Sequence, residues 1–129
     1  MKANELRLNN LVMYNNKILP IHCIQGDSTI RLLHDGNSVG CYSIKEINPI
    51  LLTEDILLQC GFEELKQSKG QYVIISESIY AIQLEIMFGF LKDGSMLVHL
   101  NDCEFELKHL HQLQNLYFAL TNEELTIKL

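Results

Sequence analysis

His109-Leu-His-Gln-Leu-Gln-Asn-Leu-Tyr-Phe-Ala-Leu-Thr-Asn-Glu-Glu-Leu125 is the stretch on which the architecture turns. From His109 to Asn122 it holds no formally charged residue, although the chain as a whole carries a net charge of −6. On a helical wheel of ~100° per residue, Leu107, Leu110, Leu113, Leu116, Tyr117, Phe118 and Leu120 span an arc of roughly 200°. An ordinary surface helix shows an apolar stripe about half as wide. Gln112, Asn115 and Ala119 lie opposite, and none is charged. Such a helix, expected over Leu107 to Leu120, must bury most of its circumference in its own core or against a partner. Leu113, Leu116, Tyr117, Phe118 and Leu120 are the candidate interface residues, since aromatic side chains with uncharged polar neighbours also suit interface cores. Thr121 and Glu124 match a capping-box spacing. The closing Leu125-Thr-Ile-Lys-Leu129 alternates like an edge strand, and a strand is expected there because five terminal residues make a poor helix.

The first half is punctuated by turn residues. Asn9-Asn10, Asn15-Asn16-Lys17, Gly26-Asp27 and Asp35-Gly36-Asn37 separate short apolar runs at Leu11 to Tyr14, Ile18 to Gln25, Thr29 to His34 and Val39 to Ser43. That pattern predicts an antiparallel meander. Its strand count and length suggest a small, twisted, barrel-like lobe of SH3-like size over residues 1–48. Pro20 cannot donate to a ladder, so its strand is expected at an edge or beginning at a bend.

Asn48-Pro49 marks the boundary to an α+β lobe over residues 49–129, and the two lobes can equally form one continuous domain. A short helix is expected from Glu54 to Cys60. Thr53 is its N-cap, Glu54 and Asp55 suit the positive end of its dipole, and Gly61 is its left-handed terminator with Phe62 packing back on Leu57. Further strands are expected at Tyr72 to Ile75, around Ile79 to Ile86, and at Cys103 to Leu107. A hairpin should join Ile86 to Leu91 with Met96 to Leu100 through Lys92-Asp93-Gly94-Ser95, where Asp-Gly suits a type I′ turn. The fold class is therefore α+β: a small antiparallel β lobe, then an antiparallel sheet packed on a C-terminal helix.

The opening Ala3-Asn-Glu-Leu-Arg7, Thr53-Glu54 leading into Gly61-Phe62, and His111 to Leu125 together resemble one family in the same order over nearly the whole chain. It is a family of small proteins of uncharacterised function, common in phages, prophages and mobile elements of Bacteroides and relatives. The C-terminal motif is the specific part of the resemblance. The family has Ile-Gly-Asn after the opening Arg, where this chain has Leu8-Asn9-Asn10, and Thr-Gly-Glu-Glu-Leu near the end, where this chain has Thr121-Asn-Glu-Glu-Leu125. Both departures put Asn in place of Gly, and Asn is the next residue to tolerate a left-handed turn. The resemblance implies no activity. It implies a phage-associated or horizontally transferred origin.

Composition narrows the function classes. Of 129 residues, ten are basic and sixteen acidic, with the basic ones scattered. Strong non-specific nucleic-acid binding needs a Lys/Arg stripe that displaces counterions, so it is not expected. The longest purely apolar run, Ile86 to Leu91, is far short of the ~20 residues that span a bilayer. No membrane association is expected, and a cytoplasmic location follows by elimination. Cys23, Cys41, Cys60 and Cys103 form no C-x-x-C pair and read as reduced, small buried hydrophobes.

No catalytic, cofactor or metal residues are assigned. His99, Cys103, His109 and His111 are the densest metal-capable grouping, but zinc needs three or four converging ligands. On a helix His109 and His111 point ~160° apart, and could share an ion only if that turn were extended. His109 falls on the apolar arc and reads as a core histidine. A nucleophilic Cys103 beside His99, or Cys60 at the wrong end of its helix, lacks a supporting motif. Glu104 and Glu106 flank Phe105 as the solvent face of a strand, and Glu123-Glu124 reads as a solvated face. Neither a P-loop nor a dinucleotide fingerprint is present. Tyr14, Tyr42, Tyr72 and Tyr80 lack interleaved Arg or Lys and read as packing residues. The leading expectation is a non-enzymatic protein-binding or assembly module, with a protein partner or self-association and no cofactor. The alternatives are a small-ligand or nucleic-acid binder using the N-terminal lobe, with a groove lined by Tyr14 or Tyr42, and a cryptic cysteine-dependent hydrolase.

Overall fold

A computed structural model of the chain describes residues 1–67, 69–74, 86–90, 95–100 and 103–128. It is α+β, with two antiparallel sheets and a C-terminal helix. The chain groups into two compact units. One comprises Met1–Leu51 with His109–Asn115, the other Leu52–Lys108 with Leu116–Leu129.

The first unit holds a four-stranded meander in the order β1 (Leu11–Tyr14), β2 (Lys17–Gln25), β3 (Thr29–Leu33) and β4 (Val39–Ser43). Asn15 and Asn16 both have positive φ, the backbone of a type I′ turn, and Tyr14 pairs with Lys17 across it. Alternation places Val12, Leu19, Ile21, Ile30 and Leu32 in one core with Leu6 and Ile47. The sheet is not a closed barrel. It is an open meander, with one antiparallel bridge from Met13 to Asn48 beyond β4. Pro20 stands in an interior strand rather than at an edge. β2 pairs with β1 through Lys17 to Pro20 and with β3 from Ile21 onward, bulging between Ile21 and Cys23. Pro20 therefore sits at the changeover, where the β3 ladder has not yet begun and no N–H is needed.

In the second unit, α1 (Glu54–Gln59) begins with the Thr53 hydroxyl accepting from the Ile56 N–H at 3.3 Å. It ends at Gly61, whose φ of +87° is left-handed. Leu57 and Phe62 are both buried. Phe62 also opens β5 (Phe62–Glu64), a strand the residue pattern did not reveal because the helix terminator runs straight into it. The sheet continues through β6 (Gln71–Ile74), β7 (Ile86–Phe90), β8 (Met96–Leu100) and β9 (Cys103–Leu107) in sequence order. The β7–β8 pairing runs from Ile86 opposite Leu100 to Phe90 opposite Met96. The extended stretch expected near Ile79 and Leu84, Tyr80, and the turn at Lys92-Asp93-Gly94 lie outside the described residues.

The C-terminal helix, α2, covers Leu110–Thr121. It starts three residues later than the apolar arc suggested, because Leu107 ends β9 and His109 forms a bridge with Leu51. Asn122 follows with φ +58° and Asn9 has φ +68°, so both asparagines are left-handed. Residues 124–128 are not a strand. A backbone bond from the Lys128 N–H to the Gln59 carbonyl at 2.9 Å anchors them to the end of α1, and Leu125 is buried. Among the described residues no helix is long and apolar enough to cross a membrane.

Candidate functional site

The uncharged character of α2 has a local cause in its first two turns. The Gln112 side chain accepts from the His109 N–H at 3.0 Å, while the Gln112 and Leu113 N–H groups turn back to the His109 carbonyl. This is the reciprocal half of a capping box. Gln114, 3% exposed, accepts from the Leu11 N–H at 2.9 Å and donates to the Asn9 carbonyl at 3.3 Å. One amide thus satisfies a backbone donor and a backbone acceptor, as a strand neighbour would. Asn115 donates to the Glu5 carbonyl at 2.8 Å and accepts from Asn10 Nδ2 at 2.9 Å. Asn10 is fully buried, and its Oδ1 accepts from the Arg7 N–H at 2.7 Å. A carboxylate or an ammonium could serve only one side of such pairs. Amides serve both, so Gln114 holds the backbone of Asn9 and Leu11 and Asn115 holds that of Glu5.

His111 is the core histidine, not His109. It is fully buried, and neither ring nitrogen has a hydrogen-bond partner among the described residues. The Glu5 carboxylate stands 3.9 Å from Nε2, beyond hydrogen-bond range. Because His109 lies in an extended turn ahead of the helix, the two imidazoles are not on opposite sides. They stack, with centroids 5.6 Å apart and planes 10° from parallel. Burial and the neighbouring His109 lower the His111 pKa to about 4, against a smaller opposing pull from Glu5. At neutral pH it is an uncharged ring.

Along α2, Leu110, Leu113 and Tyr117 are buried, while Leu116, Phe118 and Leu120 are half-buried and Ala119 is exposed. The five candidate interface residues therefore divide into two that are covered within the chain and three that keep apolar surface. The Thr121 hydroxyl closes the helix on the Tyr117 carbonyl at 2.8 Å.

A second cluster caps the core of the first unit. Tyr14 and Tyr42 stack with centroids 4.0 Å apart, and His34 Nε2 lies 2.7 Å from the Tyr42 hydroxyl. Tyr42 runs back along its own strand over Gly40, where an added Cβ would collide with the ring. Burial, with Tyr14 and Glu46 nearby, raises the Tyr42 pKa. Gly40→Ala is expected to destabilise the unit by about 1–3 kcal/mol, because Tyr14 and His34 restrict where the ring can go. Thermal unfolding reads it, and an unchanged melting temperature would refute the contact. Tyr72 is buried in the second unit, edge-on to Phe90 at 5.9 Å. Burial, with Glu54 and Glu64 nearby, raises its pKa. An open groove of about 710 Å³ in the first unit is lined by Lys2, Asn4, Ile24, Asp27, Ile44 and Lys45 among others, and neither Tyr14 nor Tyr42 reaches it.

The sulfur and histidine groupings do not assemble. All four cysteines are free, and only Cys60 is buried. Cys41 is exposed and Cys23 half-buried because both stand opposite Arg31, on the face turned away from the core, while Cys103 is exposed at the first position of β9, on the same face as Phe105 and Leu107. Burial pushes the Cys60 thiol up to about 12, the opposite of nucleophile activation. His99 pairs with Glu104 across β8 and β9 at 3.2 Å, both exposed, and Cys103 stands opposite Leu100. Among the described residues no three His, Cys, Asp or Glu side chains converge as a metal site. Sequence reasoning missed His111, Gln114 and Asn10. The one available signal was the run of amides in a helix without charge. No protein-family model, curated protein or solved structure matches the chain.

Proposed function

We propose that this chain is a non-enzymatic, cytoplasmic protein-binding or assembly module of phage or mobile-element origin. The observation that carries the reading is the division along α2: Leu110, Leu113 and Tyr117 are covered, while Leu116, Phe118 and Leu120 keep apolar surface. Leu58 on α1 adds 49% exposure in the same unit. Charge suits a protein partner better than a polyanion. The second unit has five basic residues against twelve acidic ones, and the first has five against four. The acidic balance of the second unit, which carries Leu116, Phe118 and Leu120, repels polyanions.

Phe118→Asp is expected to abolish capture of the native partner in a pull-down from the native host while leaving the circular dichroism unchanged. Tyr117→Ala, by contrast, should lower stability, since Tyr117 is buried. A folded Phe118→Asp protein that retains its partners would overturn the proposal. A second reading, ligand binding by the N-terminal unit, is favoured by the open groove whose lining includes Lys2, Lys45, Ile24 and Ile44. It predicts a thermal shift with amphipathic anions that Lys45→Glu removes.

A further inference from the structure

Among the described residues the two sheets have four edge strands, and three of them are protected. On β1, the Leu11 N–H is taken by Gln114, and Met13 exchanges both backbone bonds with Asn48. β5 has only three residues, two of them exposed glutamates. β9 carries Glu104 and Glu106. Charge, shortness and covering are the usual means by which an edge avoids pairing. β4, Val39-Gly-Cys-Tyr-Ser43, has none of these: no charge, no proline, no bulge, and Val39 is 44% exposed. Among the described residues, no strand pairs with its outer side.

The register fixes which groups face outward. The Ile44 N–H bonds to the Ser28 carbonyl, and the His34 N–H to the Ser38 carbonyl. Antiparallel bonding alternates, so Tyr42 and Gly40 bond inward to Ile30 and Leu32. Val39, Cys41 and Ser43 therefore point their backbone groups away from β3. The Ser43 N–H is already held by the Glu46 carboxylate at 2.8 Å. The remaining outward groups are the N–H and carbonyl of Val39 and Cys41, and the Ser43 carbonyl.

We propose that the β4 edge pairs with the same edge of a second copy of this chain, antiparallel about a two-fold axis through Cys41. Cys41 then exchanges two bonds with its symmetry mate. Each Val39 N–H donates to the Ser43 carbonyl of the other copy, and the Glu46 cap stays intact. Asp35 and Lys45, both exposed, flank the two ends of β4. Antiparallel pairing brings the acid of one copy towards the base of the other, whereas a parallel arrangement would set like beside like. The near-balanced charge of this unit, five basic against four acidic, permits self-approach that the acidic second unit would resist. The paired edge is short, so the dimer is weak and its formation depends on concentration. This pairing is independent of the α2 surface proposed above.

Sedimentation equilibrium of the full chain from micromolar to millimolar concentration tests it. Wild type should dimerise. Cys41→Lys should weaken the dimer by at least about tenfold, because it sets two ammonium groups across the axis. Cys103→Lys, at an exposed site in the other sheet, should not. Mild thiol oxidation should yield a covalent dimer that is lost in Cys41→Ser and retained in Cys103→Ser. Dimer formation should also slow amide exchange at Val39 and Cys41. A chain that stays monomeric at millimolar concentration, or a dimer indifferent to Cys41→Lys, overturns the proposal. A dimer lost instead in Phe118→Asp overturns it as well, and assigns self-association to α2.

Discussion

Gln114→Leu should destabilise the protein by about 2–4 kcal/mol, because it strips partners from two backbone groups at once. Gln114 is 3% exposed and bonds the Leu11 N–H and the Asn9 carbonyl. Leucine fills much of the same volume, so the loss comes from polar groups left unpaired rather than from a cavity. Gln114→Glu keeps the acceptor for Leu11 but sets a carboxylate oxygen against the Asn9 carbonyl, and should be no milder. Ala119→Ser, at an exposed position on the same helix, should change stability by less than about 0.5 kcal/mol. Urea unfolding separates these outcomes. A drop in the midpoint at constant slope reports stability lost from an intact fold. If Gln114→Leu matched wild type, the amide network would be incidental to the fold.

Stability should also fall as the solution is acidified from pH 6.5 towards pH 4, and His111 should account for much of the fall. Its pKa is lowered from the ordinary 6.5 to about 4, chiefly by burial. Between those values the unfolded chain binds a proton that the folded chain refuses. The stabilising contribution is therefore complete above pH 6.5 and is lost as pH drops to about 4. The shift corresponds to roughly 3 kcal/mol. A charged imidazole there would also oppose the positive end of the α2 dipole, since His111 lies in the first turn. His111→Phe keeps an aromatic ring beside His109 and removes the titration. Its stability should be flatter across that range, while the carboxylates, common to both proteins, cancel in the comparison. Parallel acid profiles for wild type and His111→Phe would show that the ring is not the sensor.

The legible part of the fold was the part written locally. Asn15-Asn16 set a hairpin, Thr53 and Gly61 bounded α1, and the alternation in Thr29 to Leu33 set a face, because each acts within one turn or one strand. Asn9 and Asn122 were legible as left-handed for the same reason, since the backbone preference belongs to the residue itself. The start of α2 was not, because Leu107 and His109 satisfy a helical wheel and a strand equally well, and only pairing with Met96 and Leu51 selects the extended form. Pro20 misled similarly. Its missing N–H forbids a ladder bond, but a strand that changes partners at that residue does not require one.

The amide network was hidden for a different reason. Gln114 meets Leu11 across 103 residues, and Asn115 meets Glu5 across 110. A glutamine in a helix looks the same whether it faces water or a buried backbone. Residue order thus set the α+β class, the turns, the caps and the near-absence of charge in α2, through interactions a few residues long. Which histidine is buried, what the amides hold, and which sheet edge is left unguarded were settled by long-range pairing, because burial and hydrogen-bond partnership belong to a neighbourhood that exists once distant segments meet.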